Sequence, residues 1–311
     1  MEVIPNNPLL RVTKEDLEFA RNSYVITDIQ RINESIDAII EWMQKQDHLV
    51  ESSKHTSREY LERIYMLALG STENAKKKID KLFTMRGMVP EICLHRTPGE
   101  FERLLSCVKF VPMPKLVPKD RTRVLVTQVI GKTIDDFSLL EYCRYGNMIG
   151  EYRMYHDYNA GDRFICDLNG VSIISKMNPV VMKKYDLIGE AYATKVKSVH
   201  IINGPPYIDT LVSLLKTAMR NKVAGRLHVH SSYEDLYEYI DKEVLPEDYG
   251  GDELPIAKLA EKWKEHLSKP EMIQWMEDQD KLVSDESKRS SNNFNQEYMG
   301  MPGSFRKLNV D

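Results

Sequence analysis

No stretch of this chain reaches about 18 consecutive apolar residues, the length a helix needs to traverse a bilayer. The start, Met1-Glu-Val-Ile-Pro-Asn-Asn-Pro8, lacks the charged-then-apolar pattern of a secretory signal, so the chain reads as cytoplasmic. Cysteine is scarce: Cys93, Cys107, Cys143 and Cys166 stand apart, with no C-x-x-C, and read as free thiols rather than disulfides or zinc ligands. Excess charge of either sign is also missing. The 43 Lys and Arg against 47 Asp and Glu leave a net charge of -4, which gives the whole molecule no general attraction for nucleic acid.

The glycine motifs of nucleotide chemistry are absent or broken. No G-x-G-x-x-G occurs. Gly131-Lys132-Thr133 imitates the end of a phosphate-binding loop, but Val126 stands where that loop needs its first glycine. Gly170-Val-Ser172 opens a nucleophile elbow that Ile174 fails to close. His228 and His230, two apart on a strand, share one face and form half of a metal site without an apparent third ligand, so a structural role is the better reading. No catalytic constellation and no metal site are therefore expected, and the chain is read as a non-enzyme.

What is present is an ordinary globular composition, 42% hydrophobic, enough for a sizeable core. The first third reads as helices. Thr13 and Asp16 form a capping pair, Ile29, Ile32, Ile36, Ile39, Ile40 and Met43 recur at helical spacing, Ser57 caps a helix through Ala68, and another ends near Gly87. No strand is expected before residue 120, and the Pro-rich Val111-Pro-Met-Pro-Lys-Leu-Val-Pro118 reads as a connection. Strand patterns at 123–129, 163–168, 198–203 and 226–230 then alternate with helical patterns at 139–152, 179–192, 208–219 and 233–240. That alternation predicts an α/β domain with a mostly parallel sheet. A further amphipathic stretch runs from Pro255 to Val283, and Ser284 to Asp311 is a polar tail. The domain reading is 1–110 helical, 111–255 α/β, and 256–311 a C-terminal helix with the tail.

Two features suggest binding. Ile208, Leu211, Val212, Leu215 and Met219 form one apolar face of a helix. Around it, between Lys195 and Arg226, lie six of the basic residues and only one acid, Asp209, a basic island that suits an anionic surface.

Four blocks then carry a resemblance: Asp167-Leu-Asn-Gly-Val-Ser172, Lys195-Val-Lys-Ser-Val-His-Ile-Ile-Asn203 with Pro205, Arg226-Leu-His-Val-His230, and Leu245-Pro-Glu-Asp-Tyr-Gly-Gly251. In this order they resemble the CRAL-TRIO lipid-binding family over most of the chain. Lys81 to Arg86 with Val89-Pro90 resembles the family's helical N-terminal domain, and Gly303 to Asp311 a tail found in some members. The resemblance implies a hydrophobic cavity above the sheet, closed by a mobile gate at Ile208–Met219, and a carrier of a tocopherol, retinoid or carotenoid. The expected cavity residues are Tyr142, Tyr145, Cys166, Leu187, Tyr192, Val199, Ile201, Ile208, Leu211, Leu215 and Met219. The resemblance further implies a phosphoinositide site at Lys195, Lys197, Lys222 and Arg226, transient membrane contact, and no cofactor besides the hydrophobic ligand; a monomer is expected. The alternative is a phosphoinositide-sensing regulatory or scaffold protein without cargo. Two departures stand out. The stretch Leu61 to Leu69 keeps only Arg63 of the family's arginine-rich run, which predicts weaker head-group binding, and Cys166 replaces bulkier residues, which alters the cavity shape.

Overall fold

The computed structural model describes residue 4 and residues 7–23, 26–131, 134–192 and 195–289; Lys132, Thr133 and the Gly303–Asp311 tail lie outside the described residues. The principal helices are α1 (Lys14–Ser23), α2 (Ile29–Gln44), α3 (Arg58–Leu67), α4 (Thr72–Met88), α5 (Leu139–His156), α6 (Pro179–Ala191), α7 (Ile208–Ala218), α8 (Ile256–Leu267) and α9 (Pro270–Gln279). The strands are β1 (Val108–Leu116), β2 (Arg123–Val129), β3 (Asp162–Asp167), β4 (Val196–Ile202) and β5 (Leu227–Val229).

Local chemistry sets the helix starts. Thr13 and Asp16 exchange hydrogen bonds through their side chains and backbone N–H groups at 2.9 and 3.2 Å, closing a reciprocal cap. Ser57 accepts from the N–H of Tyr60 at 3.2 Å and starts α3. Gly87, expected as a C-cap, instead lies inside α4, whose cap is Val89 with Pro90 following. On α2, Ile32, Ile36, Ile39 and Met43 are buried on one face.

The sheet runs β1-β2-β3-β4-β5, with β1 antiparallel and all other pairs parallel. The Pro-rich stretch expected to be a connection is strand β1. Pro112 and Pro114 lack the N–H a ladder needs, and β1 tolerates them as an edge strand with a register shift between Pro112 and Leu116. The expected helix at 233–240 is a 3-10 turn, Tyr233–Glu238. Because β2 to β5 pair in chain order, right-handed crossovers place α5, α6 and α7 on one face of the sheet. The long C-terminal pattern is broken at Pro270 into α8 and α9. Its Trp263 and Leu267 are buried in the same core as β1 and β2, so no break in packing occurs at residue 255.

Two apolar cores result. One fills the space around the sheet; the other joins α1–α4 to Cys143 and Met154 of α5 and to Ile188 and Ala191 of α6. A buried ion network locks the seam. Glu151 of α5, fully buried, accepts from Arg86 of α4 on one oxygen and from Arg96 on the other. Asn147 and Tyr192 donate to its Oε1 at 3.1 and 2.8 Å. Arg86 also donates to the carbonyls of Leu282 at 2.8 Å and Gln279 at 2.6 Å, so it holds the N-terminal helices, α5 and the C-terminal segment at once. Burial and the nearby Arg86 pull Arg96 down to about 10, still a cation at neutral pH.

Removing the shared anion leaves two buried guanidiniums facing each other. Glu151→Ala is expected to lower the unfolding free energy by roughly 3–5 kcal/mol, the cost of an uncompensated buried charge. Urea denaturation checks this; a loss below about 1 kcal/mol would mean the network contributes little net stability.

Candidate functional site

Between the sheet and its helices lies an apolar cavity of about 300 Å³. The floor comes from alternate residues of four strands: Val108 and Phe110 of β1, Thr127 and Val129 of β2, Phe164 and Cys166 of β3, Val199 and Ile201 of β4. The parallel register sets Thr127 beside Cys166 and Cys166 beside Ile201, so residues two apart on each strand line one face. Helix α5 adds Tyr142, α6 adds Met182, Tyr185, Asp186 and Gly189, and α7 forms the roof with Leu211 and Leu215, followed by Met219, Arg220 and Val223.

Of the cavity residues expected from sequence, the wall contains Tyr142, Cys166, Val199, Ile201, Leu211, Leu215 and Met219. Four lie elsewhere. Tyr145 is turned from its neighbour Tyr142 into the core, edge-on to Phe101 at 5.2 Å and Phe110 at 6.1 Å. Leu187 faces the N-terminal helices, because one residue further along α6 rotates the side chain by about 100° from Asp186. Tyr192 lies beyond the end of α6 and hydrogen-bonds to Glu151. Ile208, in the first turn of α7, packs over Gly204, where an added Cβ would meet its side chain at 3.0 Å. Phe164 and Tyr185 were missed, although Phe164 is two residues from Cys166 on the same strand.

The polar groups of the wall are few. Tyr142 Oη and Thr127 Oγ1 pair at 2.7 Å, and burial holds the tyrosine hydroxyl well above its usual range. Burial pushes the Cys166 thiol up to about 12, so it stays protonated. Tyr185 lies so close to α5 that a Cβ on Gly146 would come within 2.7 Å of its hydroxyl. Asp186 is bonded to Arg220 Nε at 3.0 Å.

A second cleft of about 110 Å³ shares Phe110, Phe164, Tyr185 and Gly189 with this cavity, and Arg63, Asn159, Arg153, Asp162 and Lys195 are among its lining. Arg63, on α3, donates to Asn159 Oδ1 at 2.7 Å and is buried. Lys195 and Lys197 are exposed where β4 begins. Arg226, just before β5, is half-buried and donates to the Val196 carbonyl, and the exposed Lys222 lies on the short helix Asn221–Ala224, packed against β4. Lys222 and Arg226 thus follow the roof helix in the chain, while Lys195 and Lys197 stand at the start of β4 beside Gly161. Sequence reading missed Lys78 of α4, whose ammonium burial and the neighbouring Lys81 and Lys195 push down.

His228 and His230 stack with His200 and Tyr239 on the sheet face opposite the cavity. His200, fully buried, bonds His230 at 2.8 Å and Ser198 at 2.7 Å. Among the described residues no group of three or more His, Cys, Asp or Glu is arranged to hold a metal ion. Nor, among the described residues, is any helix long and apolar enough to cross a membrane.

Three of the four sequence blocks noted above meet at Asp167. It accepts from Asn203 at 2.9 Å, from Tyr249 at 3.0 Å and from the N–H of Asn169 at 3.1 Å. Gly251 is fixed by contact: a Cβ there would lie 2.1 Å from the Leu245 carbonyl. Residues 118–251 match the CRAL/TRIO domain. A Mus musculus protein named alpha-tocopherol transfer protein-like is 29% identical over 91 residues, 28% of this chain and 26% of that protein. Rattus norvegicus clavesin-1 is 29% identical over 79 residues, 25% of this chain and 22% of that protein. The aligned stretches therefore span about a quarter of the length of these relatives. The crystal structure of Sfh5 overlays with a TM-score of 0.48 at 13% identity, covering 75% of this chain and 92% of that one.

Burial lowers His200 from 6.5 to about 3, with His230 and His228 adding to it, and burial lowers His156 from 6.5 to about 4, with His266 adding to it. Both are therefore neutral in the folded chain. Above pH 6.5 folded and unfolded forms are equally neutral and stability is full; below it the unfolded chain takes up protons that the folded one refuses until about pH 4 and then 3. The melting temperature is expected to fall between pH 7.5 and pH 5.0, and His200→Asn should flatten that fall. A level profile over this range would rule out the two histidines as its source.

Proposed function

We propose that this chain, a member of the CRAL-TRIO family, is a carrier that binds one hydrophobic small molecule in the cavity beneath α7 and exchanges it at membrane surfaces. The observation that carries the reading is the cavity itself, about 300 Å³ lined mainly by apolar side chains on four strands and three helices. Interiors are normally packed without such voids, and ligand pockets span roughly 300–1,000 Å³. A space this size in the middle of an α/β layer fits an occupant better than a packing defect. Burial of that occupant contributes roughly 25 cal/mol per Å² of apolar area removed from water.

The mouse relative is named for tocopherol transfer, and on that basis the ligand class is an isoprenoid-like molecule: a tocopherol, retinoid or carotenoid. Helix α7 is the natural gate. Leu211 is buried and Leu215 half-buried on its inner side, while Asp209, Thr210, Ser213, Lys216 and Thr217 face solvent. Tyr207, at its start, is 77% exposed, and an aromatic ring there suits a membrane interface. Lys195, Lys197, Lys222 and Arg226 beside it suit anionic head groups such as phosphoinositides, with lysines as point charges and Arg226 partly committed to Val196. Opening would be coupled to contact with such a surface, since a closed roof cannot release its cargo.

Ligand-free protein screened by thermal shift against tocopherols, retinoids and carotenoids is expected to be stabilised by at least one, with one-to-one stoichiometry by native mass spectrometry. Linkage sets the scale, about 2.7 kcal/mol at a free ligand concentration a hundred times Kd. Cys166→Phe should fill the cavity and abolish the shift while the circular dichroism spectrum is kept. No shift with any class would favour the cargo-free phosphoinositide sensor instead. In a separate test, replacing Lys195, Lys197, Lys222 and Arg226 together by alanine should cut binding to anionic vesicles at least tenfold, with ligand affinity in solution unchanged. Vesicle binding that survives the fourfold change would remove the patch from the mechanism.

A further inference from the structure

The apolar cavity and the smaller cleft stand back to back. Phe110, Phe164, Tyr185 and Gly189 line both, so one space ends where the other begins. The cleft could take part of an apolar molecule. Arg63 and Lys195 border it, but Leu67, Leu125, Met154 and Ile188 give it apolar walls, and its volume of about 110 Å³ is about a third of the cavity's 300 Å³. Of the four shared residues, only one side chain reaches from helix to helix. Phe110 is fixed in the sheet core, edge-on to Tyr142 at 5.8 Å and to Tyr145 at 6.1 Å. Phe164 belongs to the sheet floor, and Gly189 has no side chain. Tyr185 extends from α6 to α5, where a Cβ on Gly146 would come within 2.7 Å of its hydroxyl. A glycine inside a helix costs stability, and here it makes the room that the hydroxyl occupies. No hydrogen bond to a described residue fixes that hydroxyl; the ring is packed against the core formed with the N-terminal helices.

We propose that Tyr185 is the end wall of the ligand cavity and sets the length of the molecule the carrier accepts. The inference rests on the carrier reading and deepens it. With the ring laid against Gly146, an apolar chain entering beneath α7 stops at Tyr185. Without the ring, cavity and cleft form one longer chamber that continues between α5 and α6. The space past the ring is open on both helices, since a Cβ added at Gly150 or at Gly189 would meet nothing within 4 Å. Selection by such a wall is steric. A chain that is too long leaves apolar carbons outside the cavity or forces a packed ring out of its place, and packed interiors resist added volume.

A homologous series tests this in the full, ligand-free chain: geraniol, farnesol, geranylgeraniol and geranylfarnesol, each one isoprene unit longer than the last, with affinity read by titration calorimetry. Wild-type affinity is expected to rise with length up to one member and to fall beyond it. Tyr185→Ala should move that limit at least one isoprene unit longer and raise affinity for the first excluded alcohol about tenfold or more, because each further carbon buried adds to binding. Should that variant fail to fold, Tyr185→Leu, which stays apolar but falls short of Gly146, is expected to move the limit in the same direction. Tyr185→Phe loses only the hydroxyl and should keep the wild-type limit. A limit moved as far by Phe as by Ala would assign the effect to the hydroxyl and overturn the wall. A wild type without a length limit, or a limit unchanged in the folded Ala and Leu variants, also overturns the wall and leaves the carrier reading standing. Wild-type protein that binds none of these alcohols and none of the classes in the thermal-shift screen overturns both.

Discussion

The fold depends on one buried carboxylate. Glu151 stands in the middle of α5 with no access to water, and two guanidiniums from residues 86 and 96 neutralise it from the N-terminal side. Such a cluster is favourable only when every partner is in place, so it does not tolerate partial docking of the N-terminal helices. Arg86 extends the requirement to the C-terminal segment through the carbonyls of Gln279 and Leu282. A second network repeats the device on the far end of α5, where Asp157 takes Arg123 at 2.8 Å and Arg153 at 2.9 Å, and Asp162 takes Asn159 at 2.7 Å. The back of α5 is thus fixed by ions, and its other side is free to border a cavity.

That rigidity contrasts with α7. The helix forms the cavity roof through Leu211 and Leu215 and has no side-chain cap at either end. Leu211 belongs to the sheet core, with Ile208, Val212 and Leu215 packed against it, and Arg220 just beyond the helix pairs with Asp186. On the carrier reading proposed above, such a roof would open at the expense of a few apolar contacts and one ion pair. The cavity therefore sits between a wall fixed by buried ions and a roof held by apolar contacts and one ion pair.

The four sequence blocks that carried the family resemblance turn out to be mostly scaffolding. Asp167, Asn203 and Tyr249 come from three of them and meet in one hydrogen-bonded knot below the sheet, while His200, His228 and His230 stack on the face away from the cavity. They identify the fold because its turns need them. The cavity wall is built from side chains that any apolar pattern supplies, which is why the family was legible and the lining only partly so.

The sequence by itself determined the helical N-terminal part, the parallel βαβ alternation, the caps at Thr13 and Ser57, and the amphipathic α7, because each depends on residues within a few positions of one another. It also placed alternate strand residues such as Cys166, Val199 and Ile201 on one face. Other features depended on distant partners. Pro112 and Pro114 read locally as a break, and only the sheet edge beside β2 makes them a strand. Tyr142 and Tyr145 look equivalent on α5, and only Phe101 and Phe110 draw Tyr145 away from the cavity. Asp186 and Arg220, 34 residues apart, become a pair only when α6 and the end of α7 meet over the sheet. Periodicity reports which way a side chain points from its own helix or strand; what it meets there is set by packing between elements that the chain brings together only on folding.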